Sequence, residues 1–221
     1  MELFTTLRVR DGEVLFWPDH VARLAAGGPL DAESLLDQVG AAARGFEDAR
    51  VRITLRPPSP PLIEAQAYAP PKEPWRLFPV TVSHAGDAPL LKTTDRRRYD
   101  EARKAAGEAD DALLVGPDGA ILETTIANVF LLFPRGRIVT PSPRGILPGI
   151  ARARLLGRAA EARLTLAMAA DATACVVTNA LLLAHPVARV EGVADFDSAT
   201  LARDLRDALD RTAPRLRIIQ R

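Results

Sequence analysis

The sequence predicts a mixed α/β protein, and three observations carry that expectation. Short apolar runs closed by turn residues recur along the chain, as in Ala112–Val115 and Ala120–Leu122 on either side of Pro117-Asp118-Gly119, a hairpin signal. Segments with helical spacing lie among these runs: residues 31–46 place Leu35, Leu36, Val39 and Ala42 on one face. The 221 residues suffice for one large domain or two small ones.

Composition narrows the function classes. A net charge of +1 offers no electrostatic footprint for nucleic acid or a membrane surface. The single cysteine, Cys175, sits in the apolar run ATACVVT and forms no internal disulfide, so it reads as a core residue. The N-terminus lacks a signal-peptide layout and no apolar run is long enough to cross a bilayer. A soluble, cytoplasmic protein is expected, with no metal site.

In order, residues 2–17 predict a strand pair turned at Asp11-Gly12, and Pro18-Asp19 opens a short helix in which His20 and Arg23 share a face. Ala49–Leu55 and Leu62–Tyr68 alternate as strands around the stiff polar loop RPPSPP. Arg52 and Arg56 lie on one side of the first of these strands. They read either as edge charges or as groups that hold a substrate carboxylate. Residues 69–76 form a Pro-rich surface loop carrying Lys72, Phe78–His84 is a further strand, and Ala85–Pro89 resembles an interdomain connection. Lys104 falls on a polar-faced helix. His185, before Pro186, reads as a loop histidine or as a group that touches substrate, and residues 197–211 as a closing amphipathic helix with an Asp/Ser cap. The tail RLRIIQR carries no usable signal.

The stretch from Ile121 to Arg154 organises the chain. A carboxylate, Glu123, ends an apolar run. Ala127–Phe133 and a segment to Thr140 follow as strands around a turn at Pro134–Gly136. Pro148-Gly149 then opens a segment with helical spacing and leaves its first backbone N–H groups unblocked. Such a turn either holds an anion, most naturally a phosphate, or simply connects strand to helix.

Glu123, Asn128-Val129-Phe130, Ile138-Val139-Thr140 and Leu147-Pro148-Gly149-Ile150-Ala151-Arg152 together resemble the signature of the class IV aminotransferase family, enzymes of fold type IV that use pyridoxal 5'-phosphate. The resemblance implies two α/β domains with the cofactor between them, here residues 1–86 and a larger part, 87–221, carrying the catalytic lysine. It also implies a homodimer and a small amino substrate. A Schiff-base enzyme needs a lysine, and the chain has three. Lys92, in PLLKTT, has the apolar neighbours that lower an amine's pKa, whereas Lys72 and Lys104 lie in polar settings. The family's lysine precedes the signature glutamate by about this distance, so Lys92 is the expected catalytic residue.

By the same resemblance Glu123 holds the pyridine nitrogen protonated, and Asn128 and Gly149 belong to the cofactor site. Arg23, the amides of Ile150 and Ala151, and a second turn at Thr178-Asn179-Ala180 would hold the phosphate. Two departures stand out. Ala151 replaces a threonine common in the family, and the aromatic that often follows the lysine closely is absent, with Tyr99 seven residues on. The Lys92-Thr93-Thr94 segment and the Asn179-Ala180-Leu181 turn resemble the aminodeoxychorismate-lyase-like branch. That implies release of pyruvate and 4-aminobenzoate from 4-amino-4-deoxychorismate, a reaction of folate biosynthesis. A transaminase acting on branched-chain or D-amino acids would use the same residues. A relative that has lost catalysis would have no use for an intact Lys92 and Glu123. Which of Arg52, Arg56, Arg96, Arg97 and Arg98 meets the substrate carboxylate stays open.

Overall fold

The structure, a computed structural model, describes residues 2–83 and 91–218. The chain begins with β1 (Leu3–Arg10), β2 (Glu13–Leu15), α1 (Trp17–Ala25), α2 (Ala32–Ala42), β3 (Asp48–Arg56) and β4 (Ser59–Ala67). It continues with β5 (Trp75–Thr81), α3 (Arg97–Ala105), β6 (Asp111–Val115), β7 (Ile121–Thr124), β8 (Asn128–Phe133), β9 (Arg137–Pro141) and α4 (Ile150–Leu155). Then come β10 (Ala160–Ala162), α5 (Leu166–Ala169), β11 (Ala174–Asn179), β12 (Leu183–Val190), β13 (Ala194–Asp195), α6 (Ala199–Thr212) and β14 (Arg215–Arg217). Two compact units result. One is Met1–Pro70 with Leu91–Asp95 and Thr212–Arg221; the other is Pro71–Leu90 with Arg96–Arg211.

The first unit is an antiparallel sheet in the order β14-β2-β1-β3-β4. Asp11 and Gly12 both take positive φ, the conformation of a two-residue hairpin turn. One face of the sheet joins Trp17 and Leu24 of α1 and Leu35 and Val39 of α2 in a common core with Leu7, Val9, Val51 and Ile53. The Asp31 carboxylate caps α2 by accepting from the Glu33 and Ser34 amides.

The second unit is a mixed sheet in the order β10-β9-β8-β11-β12-β5-β6-β7, with β13 beside β12. Strand pairs β12–β5, β5–β6 and β9–β10 are parallel. The strands β6, β7, β8 and β11 are buried almost throughout, as their unbroken apolar runs predict. Successive residues serve two cores: Leu113 packs with Val129, Leu131 and Val177, while Ala112 and Leu114 pack with Ala102 and Ala106 of α3.

The division differs from the expected boundary between residues 86 and 87, which lies outside the described residues, as does the expected connection Ala85–Pro89. Leu91–Asp95, with Lys92, groups with the N-terminal unit. The cause is an uncovered edge. Of β1, strand β2 covers only Val9 and Arg10, so the start of β1 lacks a neighbour on that side. The Phe4 N–H therefore donates to the Lys92 carbonyl (2.9 Å), the Thr94 N–H donates to the Glu2 carbonyl (3.2 Å), and Leu3 and Thr93 form an isolated bridge.

Other expectations shift. The RPPSPP loop shortens to a turn at Pro57-Pro58, because β4 already starts at Ser59. Strand β5 starts at Trp75, before the expected Phe78. His185 lies within β12 rather than a loop. The Ser198 hydroxyl bonds the Val187 carbonyl and the Cys175 amide, tying the start of α6 to β11 and β12.

Candidate active site

Glu123 is the penultimate residue of β7 and is 3% exposed, so each carboxylate oxygen must be satisfied by protein groups. The Tyr99 hydroxyl donates to Oε1 at 2.8 Å and Asn128 Nδ2 to Oε2 at 3.2 Å; the Leu147 amide lies 3.1 Å from both. An Arg98 guanidinium nitrogen stands 3.9 Å from Oε1 while donating to the Gly145 carbonyl. Asn128 Nδ2 also donates to the Leu147 carbonyl at 3.1 Å. A Cβ placed on Gly149 would stand 1.9 Å from Asn128 Oδ1, so the signature needs glycine there to admit the asparagine.

The turn from Glu123 to Asn128 is fixed as tightly. The Ile126 and Ala127 amides donate to Thr124 Oγ1, and Arg96 donates to the Thr125 carbonyl at 2.8 Å. Asn179 Nδ2 donates to the Ile126 carbonyl at 3.2 Å. Thr125 donates to Asp111 at 2.5 Å, and burial pushes the Asp111 carboxyl above its ordinary pKa.

The remaining signature residues hold one another. Thr140 donates to the Val129 carbonyl and accepts from Arg152 Nε, and buried Arg152 also bonds the Pro141 carbonyl and Glu161. Within α4 the helical ladder starts with Ala153 N–H to the Gly149 carbonyl, leaving the amides of Ile150 and Ala151 outside it. Ala151 is fully buried. Thr178 faces Asn128 across the β8–β11 ladder, and its buried hydroxyl has no partner among the described residues. Asn179 Oδ1 accepts from the Leu181 and Leu182 amides at 2.8 Å, so its side chain serves the Thr178-Asn179-Ala180 turn itself.

Lys92, in the first unit, is half-buried, while Lys72 and Lys104, in the second, are exposed. Its Nζ lies 5.1 Å from the centre of the Phe4 ring, and the Arg52 guanidinium stacks on the same ring at 3.9 Å. Arg56 instead pairs with Glu2 at 3.4 Å, and Arg97 is exposed. His20 is fully buried and shares a 2.6 Å hydrogen bond with Thr5 Oγ1. Burial first, then the charges of Arg23 and Lys92, hold its imidazole well below the ordinary range. The half-buried Arg23 and Lys92 are thus both electrostatic neighbours of one neutral histidine.

His185 bonds the Glu73 carbonyl at 3.0 Å and packs on Trp75, a structural setting. Burial pushes the Cys175 thiol up to about 12, which removes it as a nucleophile. Among the described residues no helix is long and apolar enough to cross a membrane. Sequence reasoning missed Tyr99, Asp111 and Thr125 as supports of Glu123. Only Tyr99 left a trace, as an aromatic at an unusual distance from the lysine.

Comparison with known proteins places this arrangement. Residues 2–190 match the family model described as amino-transferase class IV. A protein assigned as a branched-chain-amino-acid aminotransferase from Thermotoga maritima is 38% identical over 69 residues, 31% of this chain and 25% of that one. A crystal structure assigned as an amino-acid aminotransferase from Mesorhizobium loti is 32% identical, covering 86% of this chain and 99% of that one, with a TM-score of 0.78. One assigned as a 4-amino-4-deoxychorismate lyase from Legionella pneumophila has a TM-score of 0.81 at 24% identity, covering 95% and 90%. With its signature residues interlocked around Glu123 and most of its length matched, the chain belongs to the class IV aminotransferase family.

Proposed function

We propose that the chain is a pyridoxal 5'-phosphate-dependent 4-amino-4-deoxychorismate lyase, working as a homodimer on a small amino substrate. The clamped carboxylate of Glu123 is the observation that carries the cofactor reading: a buried acceptor held by three donors is suited to a pyridinium N–H. The donor set fits the rest of the cofactor. Lys92 supplies a half-buried primary amine, and Thr178 a buried hydroxyl whose partner a phosphate oxygen would be.

In this reading Lys92 binds the cofactor covalently, and Glu123 keeps the proton on its ring nitrogen. Arg23, the amides of Ile150 and Ala151, and the Thr178-Asn179-Ala180 turn hold its phosphate. Asn128 acts through Glu123, and Gly149 through the space it leaves for Asn128. When bound, the cofactor supplies an electron sink. Lys92 takes a proton from the substrate ring and returns one to the departing enolpyruvate. The Lys92-Thr93-Thr94 segment and the Asn179-Ala180-Leu181 turn favour the lyase. The likeness to the Mesorhizobium protein, over nearly all of its length, favours a second reading, a transaminase acting on branched-chain or D-amino acids with the same residues.

The test is an absorbance spectrum with added pyridoxal phosphate, wild type against Lys92→Ala. The wild type is expected to show the band of the lysine-bound cofactor and the variant to lack it. Adding aminodeoxychorismate then yields pyruvate and 4-aminobenzoate. Conversion to the pyridoxamine form by an amino acid alone selects the transaminase. A wild type without the band overturns both.

A further inference from the structure

We propose that Tyr99 is a positioning residue for Glu123, its phenol fixing the orientation and the charge of the carboxylate on which the cofactor reading above rests. Tyr99 sits in the first turn of α3, where its amide donates to the Arg96 carbonyl at 2.8 Å. Its ring packs against the core formed by Val82, Ala102 and Ala106. Its hydroxyl meets Glu123 Oε1 at 2.8 Å. The ring lies between two cations, with the Arg96 and Arg98 guanidinium carbons 4.8 and 5.2 Å from its centre. Packing and stacking fix the ring, and the ring fixes the hydroxyl.

The direction of the hydrogen bond follows from the chemistry. An ionised carboxylate only accepts, so the phenol donates. Burial, then the charge of Glu123 and the hydrogen bond to it, push the Tyr99 pKa far up despite the opposing pull of Arg98 and Arg96. The phenol therefore keeps its proton wherever the protein is folded and working. Each donor to a carboxylate lowers its basicity. In a shared proton between ring nitrogen and carboxylate, a less basic carboxylate leaves the proton on the nitrogen. Asn128 and the Leu147 amide supply part of this effect, Arg98 adds charge at 3.9 Å, and Tyr99 makes the shortest contact.

The test compares wild type, Tyr99→Phe, which keeps the ring and its cation contacts, and Tyr99→Leu, which loses both. In protein loaded with cofactor labelled at the pyridine nitrogen, the 15N resonance of Tyr99→Phe is expected to move toward the unprotonated position. Its cofactor dissociation constant is expected to rise on the order of tenfold, the scale of one hydrogen bond to a charged group. In cofactor-free protein, 13C NMR of the Glu123 carboxyl is expected to show titration at a higher pH in Tyr99→Phe than in wild type. If Tyr99→Phe matches wild type in both experiments while Tyr99→Leu does not, the residue only packs and the proposal falls. If wild type takes up no cofactor, the carboxyl titration decides alone: a shift sustains the positioning role and removes only the functional reading, and coincident titrations overturn the role.

Discussion

A methyl group on Gly149 would stand 1.9 Å from Asn128 Oδ1, and this one distance explains why two distant signature positions are chemically tied. The Gly149 backbone is extended at φ −69°, a conformation open to any residue, so the requirement is steric alone. In Gly149→Ala the Asn128 side chain must turn away, giving up its bonds to Glu123 and to the Leu147 carbonyl. The expected cost is about 1–3 kcal/mol, that of overpacking plus an unpaired buried carboxylate oxygen. Urea denaturation of Gly149→Ala in the wild-type and Asn128→Ala backgrounds checks it. The substitution should be nearly neutral once the asparagine is gone, and an equal cost in both backgrounds would falsify the steric link. Arg152 and Thr140 obey the same logic, with Glu161 as the buried arginine's counterion.

Between elements, the terminal strand shows what the chain's pattern conceals. Strand β14 pairs with β2, the Ile218 amide donates to the Gly12 carbonyl at 2.9 Å, and Ile218 packs where a Cβ on Gly40 of α2 would lie 2.4 Å from its Cγ2. Gly40→Ala should therefore change sign with its background. With Ile218→Ala beneath it, the helix gains the usual alanine advantage of about 1 kcal/mol. In the wild type the new methyl pushes Ile218 aside and the gain is lost. A double-mutant cycle by chemical denaturation reads the coupling, and additivity would show that Ile218 does not rest on Gly40. This is also where sequence legibility ended. The hairpin β6–β7 and strands β8 and β9 were legible because apolar runs stop at Pro117-Asp118-Gly119 and Pro134–Gly136. Strands β10 and β14 are three residues each, too short for a period, and exist only because a partner strand offers its edge. Pro60 and Pro61 read as loop but sit in β4, an edge strand, beside a register shift where amides are not needed. Within the site, the signature gave Glu123, Asn128 and Gly149. Tyr99 and Asp111 reach that turn from α3 and β6, through pairings that no local pattern encodes.

For the whole molecule, each unit buries one histidine among the described residues that prefers to be neutral, His20 in the first and His185 in the second. Burial lowers the pKa of both. A base with a lowered folded-state pKa binds fewer protons folded than unfolded, so stability is complete above the unfolded value near 6.5 and falls as the pH drops below it. The slope is at most about 1.4 kcal/mol per pH unit for each histidine. Asp111 works the other way: its raised carboxyl pKa favours the folded state at low pH, so stability falls as the pH rises from the ordinary aspartate value of 3.8 toward the folded one. Two histidines against one aspartate predict a net loss of stability from pH 7 to pH 5. The chain has two tryptophans, Trp17 in the first unit and Trp75 in the second, the latter 5.2 Å from His185. Trp75→Phe and Trp17→Phe therefore leave one fluorescent reporter in each unit. Urea midpoints at pH 7, 6 and 5 should fall in both, and coincident or separate transitions would show whether the units unfold together. In His185→Gln the pH slope should flatten where Trp75 reports. An unchanged slope there would mean that a group other than this histidine takes up the proton on unfolding.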